Sequence, residues 1–157
     1  MHPNAQKIQE FYTAIRRGEE AAADCYAPDA SFEDIAFRLT NREDIRNMWR
    51  LVCSAAPVVE FDSVSADAEG GRAHWTACYV FGKTRSKPGR PVKNDTTSEF
   101  RFRDGQIVQQ RDHADAPQWA RQAYRFPIGI VLGRVGPLRR WGARRKLNKF
   151  VAGKLDS

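Results

Sequence analysis

Two aspartates sit at strand positions where a carboxylate is costly unless it is paired or used. Asp34 follows Phe32 by two residues in Ser31-Phe-Glu-Asp-Ile35, and strand alternation sends both side chains to one face. Asp112 closes a second row, Val108, Gln110, Asp112 and Ala114, whose other members carry no charge. Carboxylates held between apolar walls titrate closer to neutrality than in water, and can then shuttle protons. The expected site is an apolar pocket lined by Phe32, Trp75 and Tyr79, which both carboxyls reach. Two unpaired carboxylates in one pocket would also push their titrations apart. The chemistry this suits is acid/base catalysis on a hydrophobic, carbonyl-bearing small molecule. The other reading is a carrier or sensor that binds such a molecule without turning it over.

Plainer roles are open for the same residues. Asp34 can cap a turn or pair with Arg38, and Asp112 can form a salt bridge with a neighbouring Arg. His113 should face away from the Asp112 row. Asp115 reads as the cap of a helix over Pro117–Tyr124.

The elements that must position these residues follow from pattern. Asn4 reads as a cap opening a helix to about Arg17, with Ile8, Phe11 and Ile15 on one face and Gly18 at its C-terminal stop. A short second helix runs through Ala21, Ala22 and Ala23 to near Tyr26. Thr40 and Glu43 form a capping box for a helix carrying Ile45, Met48, Trp49 and Val52. Strands are expected over Val58–Ala66, Arg72–Phe81, Asp95–Arg103 and Gln106–Ala114. Asp104-Gly105 is the two-residue turn of the last hairpin. The segment from Gly82 to Lys93 reads as a basic hairpin loop. Helical segments followed by successive antiparallel strands give an α+β fold with helices packed on one curved sheet.

This order resembles the nuclear-transport-factor-2-like superfamily over about residues 5–125, which includes ketosteroid isomerases, limonene epoxide hydrolase and SnoaL-type polyketide cyclases. The resemblance rests on Phe11-Tyr-Thr-Ala-Ile-Arg-Arg-Gly18, Tyr26-Ala-Pro-Asp-Ala-Ser-Phe-Glu-Asp34 and the hairpin Phe100–Asp115. It implies a cone-shaped, curved antiparallel sheet with N-terminal helices packed on it. It also implies a SnoaL-like or ketosteroid isomerase-like domain over 1–125 and a basic helical extension over 126–157. The isomerase general base falls on Asp34. Its oxyanion tyrosine falls on Phe11, with Tyr12 one position away and expected to point elsewhere, and its second oxyanion donor falls on Ser98. The epoxide hydrolase comparison places its C-terminal catalytic Asp at Asp112. The cyclase comparison needs one pocket Asp, a role Asp112 can fill. Asp34 and Asp112 are therefore the catalytic candidates, with isomerase, cyclase or related lyase or hydrolase chemistry implied. Phe11, Phe32, Trp49, Trp75, Tyr79, Ser98, Phe100 and Gln110 are the ligand-binding candidates. No cofactor is implied.

Composition narrows the classes further. At 157 residues the chain has room for one real core. It contains no apolar run long enough to span a bilayer and does not begin as a signal peptide does. Cys25, Cys53 and Cys78 are scattered and odd in number, so a reduced, cytoplasmic setting is expected. The three histidines show no metal-ligand spacing, and no metal is expected. The face carrying His74, Thr76, Cys78 and Val80 has the mixed character that suits pairing with a second copy, so a homodimer through the outer sheet face is expected.

The net charge of +7 belongs entirely to the tail. From Arg134 onward there are eight Lys/Arg against Asp156 alone, leaving 26 − 8 = 18 basic and 19 − 1 = 18 acidic residues before it. Pro137 can start a final helix with Ala143, Leu147, Phe150 and Val151 on one broad face. That helix can pack on the domain with its charges in water, or contact an anionic membrane surface weakly. No nucleic-acid partner is expected, because aromatic residues do not interleave with the basic ones as a stacking platform requires. The small-molecule domain is expected to bind its ligand without the tail, unless the tail roofs the pocket.

Overall fold

Ile8, Phe11, Tyr12 and Ile15 follow the i, i+3, i+4, i+7 pattern of one helical face, and α1 (Pro3–Arg16) buries all four. The computed structural model describes residues 1–153. The cap of α1 is His2 rather than Asn4: His2 Nδ1 accepts the Asn4 amide proton at 3.2 Å. The Asn4 side chain donates instead to the Asp67 carbonyl at 2.8 Å. Gly18, with φ 68°, takes the left-handed position that stops the helix. A 3₁₀ turn, Glu20–Cys25, then leads into β1 (Tyr26–Glu33) and the two-residue β2 (Arg38–Leu39). Helix α2 (Arg42–Ser54) is capped by Asn41, one residue later than the expected Thr40, and buries Ile45, Met48 and Trp49.

Four strands complete the sheet: β3 (Val58–Ala66), β4 (Gly70–Phe81), β5 (Arg90–Arg103) and β6 (Gln106–Ala114). The order is β2-β1-β6-β5-β4-β3, antiparallel except where β1 runs parallel to β6. β5 starts at Arg90, so the last residues of the expected basic loop, Arg90 to Lys93, extend the sheet instead. At the β5–β6 turn Asp104 and Gly105 have φ 52° and 73°, the pair of positive values a type I′ turn demands. Just beyond it, Phe102 pairs with Ile107 and Arg101 with Gln109, so Val108 is the extra residue of a bulge. The bulge moves Ile107, not Val108, onto the buried face below Gln110 and Asp112.

Three helices follow: α3 (Ala116–Ala123), α4 (Ile128–Arg134) and α5 (Gly136–Val151). Asp115 caps α3 by accepting from the Gln118 amide at 2.8 Å. Among the described residues no helix is long and apolar enough to cross a membrane. α5 seats on the domain by its Leu147, which is 2 % exposed and belongs to the main core with Phe11, Trp49, Trp75 and Phe100. Arg139 donates to the Ile35 carbonyl, Arg140 pairs with Glu33 at 3.3 Å, and Arg144 pairs with Asp44 at 3.1 Å. The tail helix therefore lies across the β1–β2 turn and the start of α2. Ala143 and Phe150 share the inner side with Leu147, whereas Val151 is exposed.

Candidate acid/base site

Asp112 stands opposite Ser98 in the β5–β6 ladder, and Gln110 lies two residues before it on the same face. Ser98 Oγ donates to Asp112 Oδ1 at 2.5 Å, and Gln110 Nε2 donates to the same oxygen at 2.8 Å. Both donors are themselves held. Ser98 Oγ accepts from the Tyr12 hydroxyl at 2.7 Å and from Trp75 Nε1 at 2.9 Å. Gln110 Oε1 accepts from the Tyr26 hydroxyl at 2.5 Å, and Tyr26 in turn accepts from Trp49 Nε1 at 3.1 Å. Six polar side chains from α1, β1, α2, β4, β5 and β6 thus converge on one carboxyl oxygen, in two branches that each point toward it.

The second oxygen differs. Among the described residues no hydrogen bond reaches Asp112 Oδ2, and Arg140 Nε is the one fully buried side-chain nitrogen or oxygen without a partner. Oδ2 is therefore not sealed off, although Asp112 as a whole is only 8 % exposed. Burial is the main cause that lifts this carboxyl to about 7; the Ser98 and Gln110 hydrogen bonds oppose the lift, and the charge of Asp34 adds to it. At neutrality a substantial share of Asp112 carries its proton, and Oδ2 is the oxygen without a hydrogen bond.

Asp34 arrives differently from the expected strand alternation. β1 ends at Glu33, and Asp34 turns the chain toward β2. Its Oδ1 accepts from the Ala36 amide at 2.7 Å and the Phe37 amide at 2.6 Å, which makes it the cap of that turn. Phe32 is buried and Asp34 is partly buried. Burial nonetheless raises the Asp34 carboxyl to about 6, against the two amides and the nearby Arg140 and Arg139. The charge of Asp34 raises the titration of Asp112.

The expected lining residues divide. Phe32, Trp49, Trp75, Phe100 and Phe11 pack edge-to-face or tilted with Tyr12 and Tyr26, at centroid separations between 4.9 and 6.4 Å. They fill the concave side of the sheet. Tyr79 bridges two cores: it packs against the edge of this group, and its hydroxyl accepts from Trp119 Nε1 at 2.8 Å in a second small core with Val92, Ala120 and Ala123. Ser98 does not present a free donor, because its proton is committed to Asp112. Tyr12 was expected to point away from the site, yet it is fully buried and supplies the hydroxyl that Phe11 lacks. Tyr12 and Tyr26, whose phenols burial raises well above their usual range, are the members the sequence reading passed over. The signal for Tyr12 was present, since it completes the four-residue helical stripe with Ile8, Phe11 and Ile15.

Two shallow hollows, of about 450 and 290 Å³, open beside α5, and neither is lined by Asp34 or Asp112. Among the described residues no group of three or more His, Cys, Asp or Glu is placed to hold a metal ion.

A family model described as a SnoaL-like domain matches residues 8–110. No curated protein matches the chain in sequence. Solved structures do match. A candidate polyketide cyclase from Xanthomonas campestris pv. campestris is 17 % identical, covering 78 % of this chain and 97 % of that one, with a TM-score of 0.65. An LEH-like epoxide hydrolase from M. tuberculosis is 16 % identical, covering 83 % and 96 %, with a TM-score of 0.64. A protein of ketosteroid isomerase-like fold from Catenulispora acidiphila, in complex with trimethylamine, is 14 % identical, covering 78 % and 94 %, with a TM-score of 0.64. At these identities the likeness is one of fold.

Proposed function

Starting from the SnoaL-like family, to which this chain belongs, we propose that the protein is a small-molecule enzyme. Asp112 transfers a proton to or from a hydrophobic, carbonyl-bearing ligand. The observation that carries this reading is the asymmetry of Asp112. One oxygen is fixed by Ser98 and Gln110, the other is free of hydrogen bonds, and the group titrates at about 7. A general acid or base works best when its titration lies near the working pH. Ser98 and Gln110 are positioning residues that hold the carboxyl plane. Oδ2 either delivers its proton to a ligand oxygen or, once ionised, removes a proton from carbon beside a carbonyl. Asp34 acts through its charge, keeping Asp112 protonated to higher pH. The reaction type, isomerisation, cyclisation or a related step, follows from the ligand.

The test needs no prior substrate. A panel of hydrophobic ketones is incubated with the protein in D₂O, and deuterium uptake at the carbon beside the carbonyl is followed by NMR. Protein-dependent exchange is expected, falling about 10²–10⁴-fold in Asp112→Asn, the usual worth of a general acid or base. Ketones that bind without any exchange would sink the catalytic reading.

One observation favours the alternative, a non-catalytic binding protein. The concave face is occupied by the protein's own Phe11, Tyr12, Trp49 and Trp75, with Leu147 against them. On that reading ligands displace side chains without turnover, and the same panel gives binding with no deuterium uptake.

A further inference from the structure

Among the described residues eleven large hydrophobic side chains are exposed, and all but Met1, Val58 and Val80 lie between Phe126 and Val151. The chain thus concentrates its exposed apolar surface in the segment that also holds its net positive charge.

The orientation of α4 accounts for part of this. It packs on α3 through glycine: a Cβ at Gly129 would stand 2.8 Å from the Ala120 carbonyl oxygen, and one at Gly133 would stand 2.8 Å from Pro117 Cα. With glycine turned inward, the opposite face carries Ile130 and Val131, which are 39 % and 48 % exposed. A helix that serves only its own domain turns its aliphatic residues inward. α4 turns only Leu132 inward, against the core around Trp119 and Ala120, and leaves Ile128, Ile130 and Val131 exposed.

α5 adds a second face of the same kind. Leu147 and Ala143 point into the domain, so the opposite side presents Leu138, Trp141, Arg145 and Lys149 at helical spacing. Trp141 is 60 % exposed, and the Arg145 guanidinium lies over its ring at 5.4 Å. Arg139 ties the two helices together by donating to the Leu132 carbonyl at 2.8 Å and the Gly133 carbonyl at 3.2 Å. No acidic residue occurs between Asp115 and Asp156, so nothing in the segment neutralises Arg134, Arg145 or Lys149.

We propose that the outer face of α4 and α5 docks on an anionic lipid surface. Aliphatic side chains and a tryptophan enter the boundary between headgroups and acyl chains, while arginine and lysine meet the lipid phosphates. A tryptophan with an exposed ring and an indole N–H suits that boundary. A second copy is the poorer occupant, because the same face would bring Arg134, Arg145 and Lys149 against their own like charges. The residues before Arg134 sum to zero charge, so the chain's net attraction to an anionic surface comes from this segment. Docked this way, Arg139, Arg140 and Arg144 keep their bonds to the domain, and the protein binds without unfolding its tail.

The experiment is cosedimentation of the full chain with phosphatidylcholine vesicles, with and without phosphatidylserine, at low and high salt. Tryptophan emission is read in parallel. Binding that needs phosphatidylserine and weakens with salt is expected, with a blue shift from Trp141. Arg145→Gln/Lys149→Gln should lower the partition coefficient roughly 10–30-fold, from about one kilocalorie per mole for each cation near such a surface. Ile130→Ser/Val131→Ser should also lower it, which a purely electrostatic contact would not show. Absence of binding, equal binding to neutral vesicles, or indifference to both double substitutions overturns the proposal. Binding to a soluble acidic polypeptide but not to vesicles overturns it in favour of an acidic protein partner.

Discussion

Ser98 and Asp112 face each other across the β5–β6 ladder, and the Ser98 hydroxyl commits its one proton to Asp112 Oδ1 at 2.5 Å. Because Ser98 also accepts from Tyr12 and Trp75, a single hydroxyl uses its full hydrogen-bonding capacity. Ser98→Ala therefore strands two buried donors at once. Unfolding in urea should show a loss of about 1–3 kcal/mol for each stranded group. The Asp112 carboxyl should also titrate higher, since a bond favouring its ionised form is gone. Carboxyl-carbon NMR across pH would measure the change, and an unmoved titration would mean that Ser98 does not govern Asp112.

The pH dependence of stability follows from the same carboxyl. In the unfolded chain Asp112 ionises near 3.8, and in the folded chain near 7. The folded state thus holds a proton that the unfolded state releases through this interval. Asp112's contribution to stability is most favourable below pH 4 and is lost as pH rises toward 7. Asp112→Asn keeps an oxygen for Ser98 and Gln110 but removes the titration. Its melting temperature should exceed that of the parent above pH 7, and the gap should close as pH falls toward 4. Two curves that run parallel over this range would contradict a raised carboxyl.

Asp34 tests the division of labour between the two aspartates. One oxygen of its carboxyl is tied to the amides of Ala36 and Phe37 at the turn into β2, outside the Ser98 and Gln110 network that fixes Asp112. Removing its charge should let Asp112 ionise at lower pH. For Asp34→Asn we expect the maximal rate of ketone exchange to fall by less than about tenfold, outside the range of a lost general acid or base. The pH profile should move toward acid. A loss as large as that of Asp112→Asn would give Asp34 a direct chemical role.

Legibility in the sequence tracked local physics. β3 and β6 have the expected bounds, and Asp115 caps as predicted, because alternation, the Asp-Gly turn and capping chemistry act within a few residues. Asp34 lies one residue past the end of the strand on which its phase was counted, and its capping of the turn into β2 depends on backbone geometry that alternation does not encode. Val108 was misplaced because a bulge, which depends on the partner strand, resets the alternation. The Asp112 network was half visible. Ser98, Gln110, Trp49 and Trp75 were candidates, but their attachment to one carboxyl oxygen depends on register between strands and on helix placement. Tail packing was least legible, since inward glycine and outward isoleucine in α4 invert the usual amphipathic rule.

Leu147 decides what the tail does for the domain. It is 2 % exposed and packs with the core that surrounds the Asp112 network, so α5 closes the site side of the fold as well as carrying charge. Leu147→Ala removes buried methyl groups and should cost about 2–5 kcal/mol, as large-to-small core substitutions do. If α5 also restricts entry, the variant should take up a hydrophobic ketone faster than the parent in stopped-flow quenching of Trp49 and Trp75. Lower stability with unchanged uptake would make Leu147 a packing residue only. Unchanged stability would mean that α5 does not seat on the domain in solution.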